Sequence, residues 1–215
     1  MPTAHARTSK DDVVAAYRRS ALLAAARRVF GAKGFDQATM DAIADQASVA
    51  KGTIYLYYPS KQSVYDATFA AGTAELTERT DASVRAAPTA KAAIAAFVGA
   101  RVAYFQEYPD YFRIYVTEMS RIVTDRSPRK GVCRAALDRH TRALQAVIED
   151  AVVRGEVRAV DPAATALAVF DITRGLVARR LLTGAKSDAA RDVDFLTDLI
   201  WAGLQPAPDA EGHTA

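Results

Sequence analysis

The chain has 215 residues, half of them apolar and a quarter charged, the composition of a soluble globular protein. No apolar run approaches the roughly 20 residues of a membrane helix, and the N-terminus MPTAHARTSKDD lacks the apolar core of a signal peptide. Cys133 is the single cysteine, which excludes an internal disulfide and a thiolate metal cluster. These features predict a cytoplasmic protein with no membrane partner, no metal and no cofactor.

The net charge of +3 is unevenly spread. Residues 1–62 hold nine Lys/Arg and five Asp/Glu, a balance of +4, while the remainder holds nineteen and twenty, a balance of −1. Positive charge gathered at the start of the chain suits a polyanionic partner. On charge alone, an ordinary solvated surface explains it equally well.

In chain order, alanine-rich helical periodicity dominates and no alternating strand pattern stands out, so the fold class is all-α, with about nine helices. Residues 1–10 read as a disordered arm. A first helix runs from about 11 to 33, with Leu22, Leu23, Ala26, Val29 and Phe30 at helical spacing and Gly31 and Gly34 at its end. Thr39 precedes MDAIADQA, where its hydroxyl can cap a short second helix with Ile43 and Ala47 turned inward. Ser48 and Val49 form a turn, and a third short helix spans about 50–57. Pro59 stops it, and Ser60 caps a fourth helix reaching about 85. After Pro88 come a fifth helix, 89–107, and a sixth, about 110–124, rich in aromatics. A seventh starts near Pro128 and ends near Gly155. Asp161 and Pro162 open an eighth that ends at Thr183–Gly184, and a ninth spans 187–204. Residues 205–215 read as a disordered tail.

Helices two and three have the spacing of a helix-turn-helix: a capped short helix, a tight turn, then a second short helix. The second helix of such a unit enters the major groove with its N-terminal residues toward base edges. Lys51 can pair with phosphate or guanine, and Thr53 can meet a phosphate or a thymine methyl. Gly52, which weakens so short a helix by about 1 kcal/mol, lets the backbone come close to DNA. Ile54 and Tyr58 face the core. Tyr55 and Tyr57 offer hydroxyls to phosphates, Lys61 adds a charge on the same side, and Thr39 with the amides behind it is a further phosphate site. Each residue has a plainer reading: solvated lysines, a core tyrosine, a glycine allowing close helix packing, a simple cap. Their order, not any single one, carries the argument.

The stretch FDQATMDAIADQASVAKGTIYLYYPSKQSVYDATF resembles the DNA-binding signature of the tetracycline-repressor (TetR) family. Thr39, Ile43, Ala44, Ala47, Val49, Lys51-Gly52-Thr53, Tyr55, Tyr57-Tyr58 and Ser60-Lys61 carry the resemblance. It implies a transcriptional regulator, most simply a repressor, that binds a palindromic double-stranded DNA operator as a homodimer. It also implies a larger C-terminal domain that takes an unidentified small-molecule inducer. Two positions depart from the pattern. Ser48 stands where the turn usually has glycine, and Ala50 stands where the third helix usually opens with serine or threonine.

The domain division expected is residues 11–60 for DNA binding and 61–204 for ligand binding and dimerisation. Arg101, Tyr104, Phe105, Tyr108, Tyr111, Phe112, Tyr115, Phe170 and Arg174 are candidates to line an inducer pocket, with the arginines as polar anchors. Plain core is the competing reading of the same aromatics. Helices eight and nine carry apolar residues on more than one face, which predicts a homodimer through the last two helices; two central core helices would read alike. Tilting of the fourth helix is the expected link between ligand and DNA.

An enzyme finds no support. His5 and His213 fall in the tails, His140 reads as solvated on an arginine-rich helix face, and no nucleophile, metal-ligand or phosphate-loop motif occurs. The alternative to operator binding is a helical dimer that binds a ligand or a protein and has lost DNA affinity, a reading that Ser48 and Ala50 keep open.

Overall fold

The computed structural model describes residues 10–124, 130–183 and 188–206, with the side chains of 10–11 and 121–137 set aside. The arm and tail beyond these limits, Cys133, His5, His213 and Pro128 lie outside the described residues and side chains. The described residues form an all-α fold: α1 (Lys10–Gln37), α2 (Met40–Gln46), α3 (Lys51–Tyr55), α4 (Lys61–Arg85), α5 (Ala90–Glu107), α6 (Pro109–Thr124), α7 (Lys130–Val153), α8 (Pro162–Thr183) and α9 (Ala189–Leu204). Two compact units result, residues 1–72 with 110–118, and residues 73–109 with 119–215, so α4 and α6 each contribute to both.

In the first unit, Leu22, Ala25, Ala26, Val29 and Phe30 of α1 are buried together with Ile43, Ala44, Ile54, Val64 and Tyr65. Tyr65 packs edge-on against Phe30 and Phe35, both with ring centroids at 5.0 Å. Gly31 does not end α1, as its sequence position suggested. The helix runs on to a kink at Gly34, where φ is 74°. Gly31 instead gives room to α6: a Cβ there would lie 2.5 Å from the Cβ of Asp110 and 2.7 Å from its Cα. Gly72 does the same for Tyr111, whose Cε2 would stand 2.3 Å from an added Cβ. The Tyr111 hydroxyl donates to Phe69 O at 3.0 Å, and Arg113 donates to Gly31 O at 3.1 Å, which completes the clasp on the start of α6.

In the second unit, α5 packs against α7, α8 and α9. Ile94, Phe97, Val98, Val102 and Phe105 make a broad buried face, against Leu144, Ile148, Val169 and Phe170. Caps follow the sequence closely. Thr89 accepts from Ala92 N at 3.2 Å, and Asp161 accepts from Ala163 N at 2.9 Å and Ala164 N at 3.1 Å. Gly155, with φ 71°, closes α7 where a left-handed residue is needed. His140 is the main departure. It is buried, not solvated, and its Nδ1 lies 2.9 Å from Thr77 Oγ1. Burial, then the nearby Arg101 and Arg139 charges, push its pKa down to about 3, so the ring is neutral in the fold.

Candidate nucleic-acid interface

Thr39 caps α2 with its side-chain oxygen, which accepts from Ala42 N at 3.1 Å. The turn to α3 closes on two backbone bonds: Ser48 N to Asp45 O and Val49 N to Ala44 O, both at 3.0 Å. Ser48 sits at φ 55°, the one non-glycine with positive φ among the described residues. A serine held there costs roughly 1 kcal/mol, the strain its position in the motif suggested. Ala50 is the N-cap of α3 and makes no side-chain cap bond.

The third helix is shorter than the sequence suggested, covering Lys51–Tyr55 only. It anchors inward through Ile54, which is fully buried. Tyr58 is only half-buried. The opposite face points to solvent, with Lys51, Gly52 and Tyr55 exposed and Thr53 half-buried. Leu56 follows at 83% exposure. Periodicity alone does not mark this leucine, because an apolar residue at a helix end looks like core until its neighbours are placed. Nothing in the protein lies within 4 Å of a Cβ built on Gly52. Close internal packing therefore does not account for this glycine. Tyr57 is half-buried, with the Arg19 guanidinium 5.8 Å from its ring centroid.

The two lysines of the motif are both engaged within the unit. Lys51 Nζ lies 2.7 Å and 3.1 Å from the two carboxylate oxygens of Asp41. Lys61 Nζ donates to Phe35 O at 2.8 Å, Asp36 O at 3.2 Å and Ala38 O at 3.1 Å, and it sits 4.5 Å from the Phe35 ring centroid. An ammonium has three N–H donors, and here all three tie down the end of α1 and the turn into α2. That makes Lys61 a structural clamp in this geometry.

Residues 22–68 match the family model "Bacterial regulatory proteins, tetR family". That segment is similar to the DNA-binding part of tetR-family proteins. The match spans the whole helix-turn-helix and the start of α4, which makes the chain a DNA-binding transcriptional regulator. Among curated relatives, it is 34% identical over 64 residues to an uncharacterized HTH-type transcriptional regulator, YhgD, of Bacillus subtilis, a match covering 30% of this chain and 34% of that protein. It is 22% identical over 184 residues to the fatty acid metabolism regulator protein of Bacillus subtilis, covering 85% of this chain and 93% of that one. Among solved structures, FadR of Bacillus subtilis in complex with stearoyl-CoA superposes with a TM-score of 0.74 at 19% identity, over 86% of this chain and 98% of that one. The ketosteroid regulator KstR2 of Mycobacterium tuberculosis gives 0.69 at 20% identity, over 88% and 96%. At such identities the structures testify to the fold.

The residues expected around an inducer divide between the two units. Tyr111, Phe112 and Tyr115 are buried in the first. In the second, Arg101 is fully buried with its guanidinium 4.4 Å from the Phe170 ring centroid, 5.5 Å from Phe97 and 5.9 Å from Phe105. Tyr104 packs against Phe105 and Tyr108. Arg79 lies over the Tyr104 and Tyr108 rings and pairs with Glu107 at 2.6 Å. Arg174 is half-exposed and paired with Asp171 at 3.1 Å on its own helix. A groove of about 700 Å³ in the second unit is lined by none of the nine, but by residues such as Thr77, Asp81, Arg85, Arg139, Arg142 and Val147.

The last two helices are not simply core. Leu167, Ile172 and Leu182 on α8 and Phe195 and Leu199 on α9 are exposed at 44–87%. Between them runs a groove of about 520 Å³ lined by Ala164, Ala168, Ile172, Leu199, Ile200 and Leu204. Arg180 and Asp192 pair to fix α8 against α9. Among the described residues no helix is long and apolar enough to cross a membrane, and no group of three metal-ligating side chains occurs.

Proposed function

We propose that the protein binds a palindromic operator as a homodimer, represses from it, and is released by a small lipophilic ligand. The observation that carries the DNA reading is the outer face of α3. Gly52 meets nothing inside the protein, while Lys51, Tyr55 and Leu56 project around it from a helix anchored by Ile54. Lys51, Gly52, Thr53, Tyr55 and Tyr57 are the residues assigned to the duplex, with Leu56 added for thymine methyl groups. Lys61 and Thr39 hold the reading head in shape.

Five helical residues read too few base pairs to specify a site alone. Two copies placed about 34–36 Å apart meet successive major grooves. The exposed apolar faces of α8 and α9 support that pairing, because apolar patches on adjacent helices are the usual mark of a subunit contact. Residues 11–60 then read DNA and residues 61–204 carry the ligand and the dimer contact. For the ligand, the relatives named for fatty acid metabolism and the stearoyl-CoA complex favour an acyl chain. α4 and α6 are the links between units, and the ligand's effect on DNA is bounded by its differential affinity for the two shapes.

Selection of bound fragments from random duplex DNA tests this. A palindromic winner, bound more weakly as salt rises and released by a long-chain acyl-CoA, is the expected result. Absence of preference among duplexes at low salt would contradict the DNA reading, and an unchanged affinity with acyl-CoA would contradict the ligand class.

A further inference from the structure

Lys51 opens α3 with its ammonium already held. Asp41, ten residues earlier in the first turn of α2, grips it with both carboxylate oxygens, at 2.7 Å and 3.1 Å. The two side chains stay 56% and 60% exposed. An ion pair so open to water contributes little to stability. The packing of α2 on α3 rests instead on Ile43, Ala44 and Ile54, all buried. The pair therefore does little for the fold. What it changes is Lys51 itself. Hydrogen bonding and then charge attraction from Asp41 raise the lysine's pKa, and a flexible four-carbon stem is fixed in one place.

A free lysine at this point would join any phosphate within reach, and phosphate contacts carry no sequence information. We propose that Asp41 is a specificity-determining positioning residue, whose carboxylate withholds Lys51 from phosphates and presents its ammonium to a base edge at the head of α3. Discrimination between duplexes then owes more to Asp41 than affinity does. This inference rests on the reading of α3 as the helix that meets DNA.

The test uses the full chain, the duplex recovered by selection and a scrambled duplex of equal length. Asp41→Asn should bind the scrambled duplex roughly threefold or more tightly, with a salt slope steeper by about 0.9 for one further ion released. The ratio of selected to scrambled affinity should fall. Asp41→Glu should restore the wild-type ratio. Asp45→Asn makes the same charge change on the same helix, and its effect should be smaller. In a Lys51→Ala background, Asp41→Asn should lose most of its effect. Circular dichroism confirms that each variant folds. An Asp41→Asn effect equal to that of Asp45→Asn, or one that persists without Lys51, or an unchanged affinity ratio, would overturn the assignment while leaving DNA binding intact. A wild-type chain without preference for any duplex would remove both.

Discussion

Single side chains here separate stability from function. His140 illustrates the first. It is 1% exposed and neutral in the fold, with its pKa depressed to about 3 against an ordinary 6.5. The unfolded chain takes up a proton below pH 6.5 that the folded chain refuses. Stability is therefore fully present above that pH and is lost as pH falls toward the folded value. Between pH 7 and 5 the expected loss from this one ring is about 2 kcal/mol. His140→Asn, which keeps a polar atom near Thr77, should flatten that part of the profile in urea melts at the two pH values, and an unchanged difference would remove His140 as its source. The histidine was illegible in the sequence because its neighbours, Arg139 and Arg142, are exposed and make the helix face look polar. Burial came from Thr77 and Phe170, which lie 63 residues before and 30 after it. Lys61 was only half legible for a similar reason. Its motif position was plain, but the three carbonyls that hold it lie 23–26 residues away.

At the scale of elements, most boundaries follow local chemistry. Thr39, Thr89 and Asp161 were expected to open helices and do so through side-chain oxygens. Gly34 and Gly155 end or bend helices at positive φ. Gly31 looked like a third such stop, yet it serves close approach by Asp110, a contact 79 residues distant that no local pattern reveals. The recognition helix combines both lessons. Its glycine has negative φ and an empty surround, so neither a turn nor packing requires it. Gly52→Ala should then stabilise the fold by about 0.5–1 kcal/mol through helix propensity alone. It should at the same time weaken duplex binding, because the added methyl meets DNA. Urea midpoints and duplex titrations together check this. A variant that gains stability and keeps full duplex affinity would show that Gly52 does not face the groove.

For the whole molecule, the all-α class and the helix-turn-helix were readable from capping residues and periodicity, and the family segment agrees with that reading. The inducer site was far less legible. An aromatic at helical spacing looks the same whether it lines a cavity or fills a core, and the structure buries Tyr111, Phe112 and Tyr115 in one unit and Arg101, Phe105 and Phe170 in the other. The α8 and α9 faces lie between these extremes, since excess apolar residues were visible but their direction was not. The central claim is that two reading heads act together, held by those faces. Light scattering of the chain with its selected duplex measures this directly. Two chains on one palindromic duplex is the expected mass, with the Phe195→Asp, Leu199→Asp double variant monomeric and at least tenfold weaker on the same DNA, a loss of about 1.4 kcal/mol or more. One chain per duplex, or a monomeric variant that binds as tightly as wild type, would contradict it.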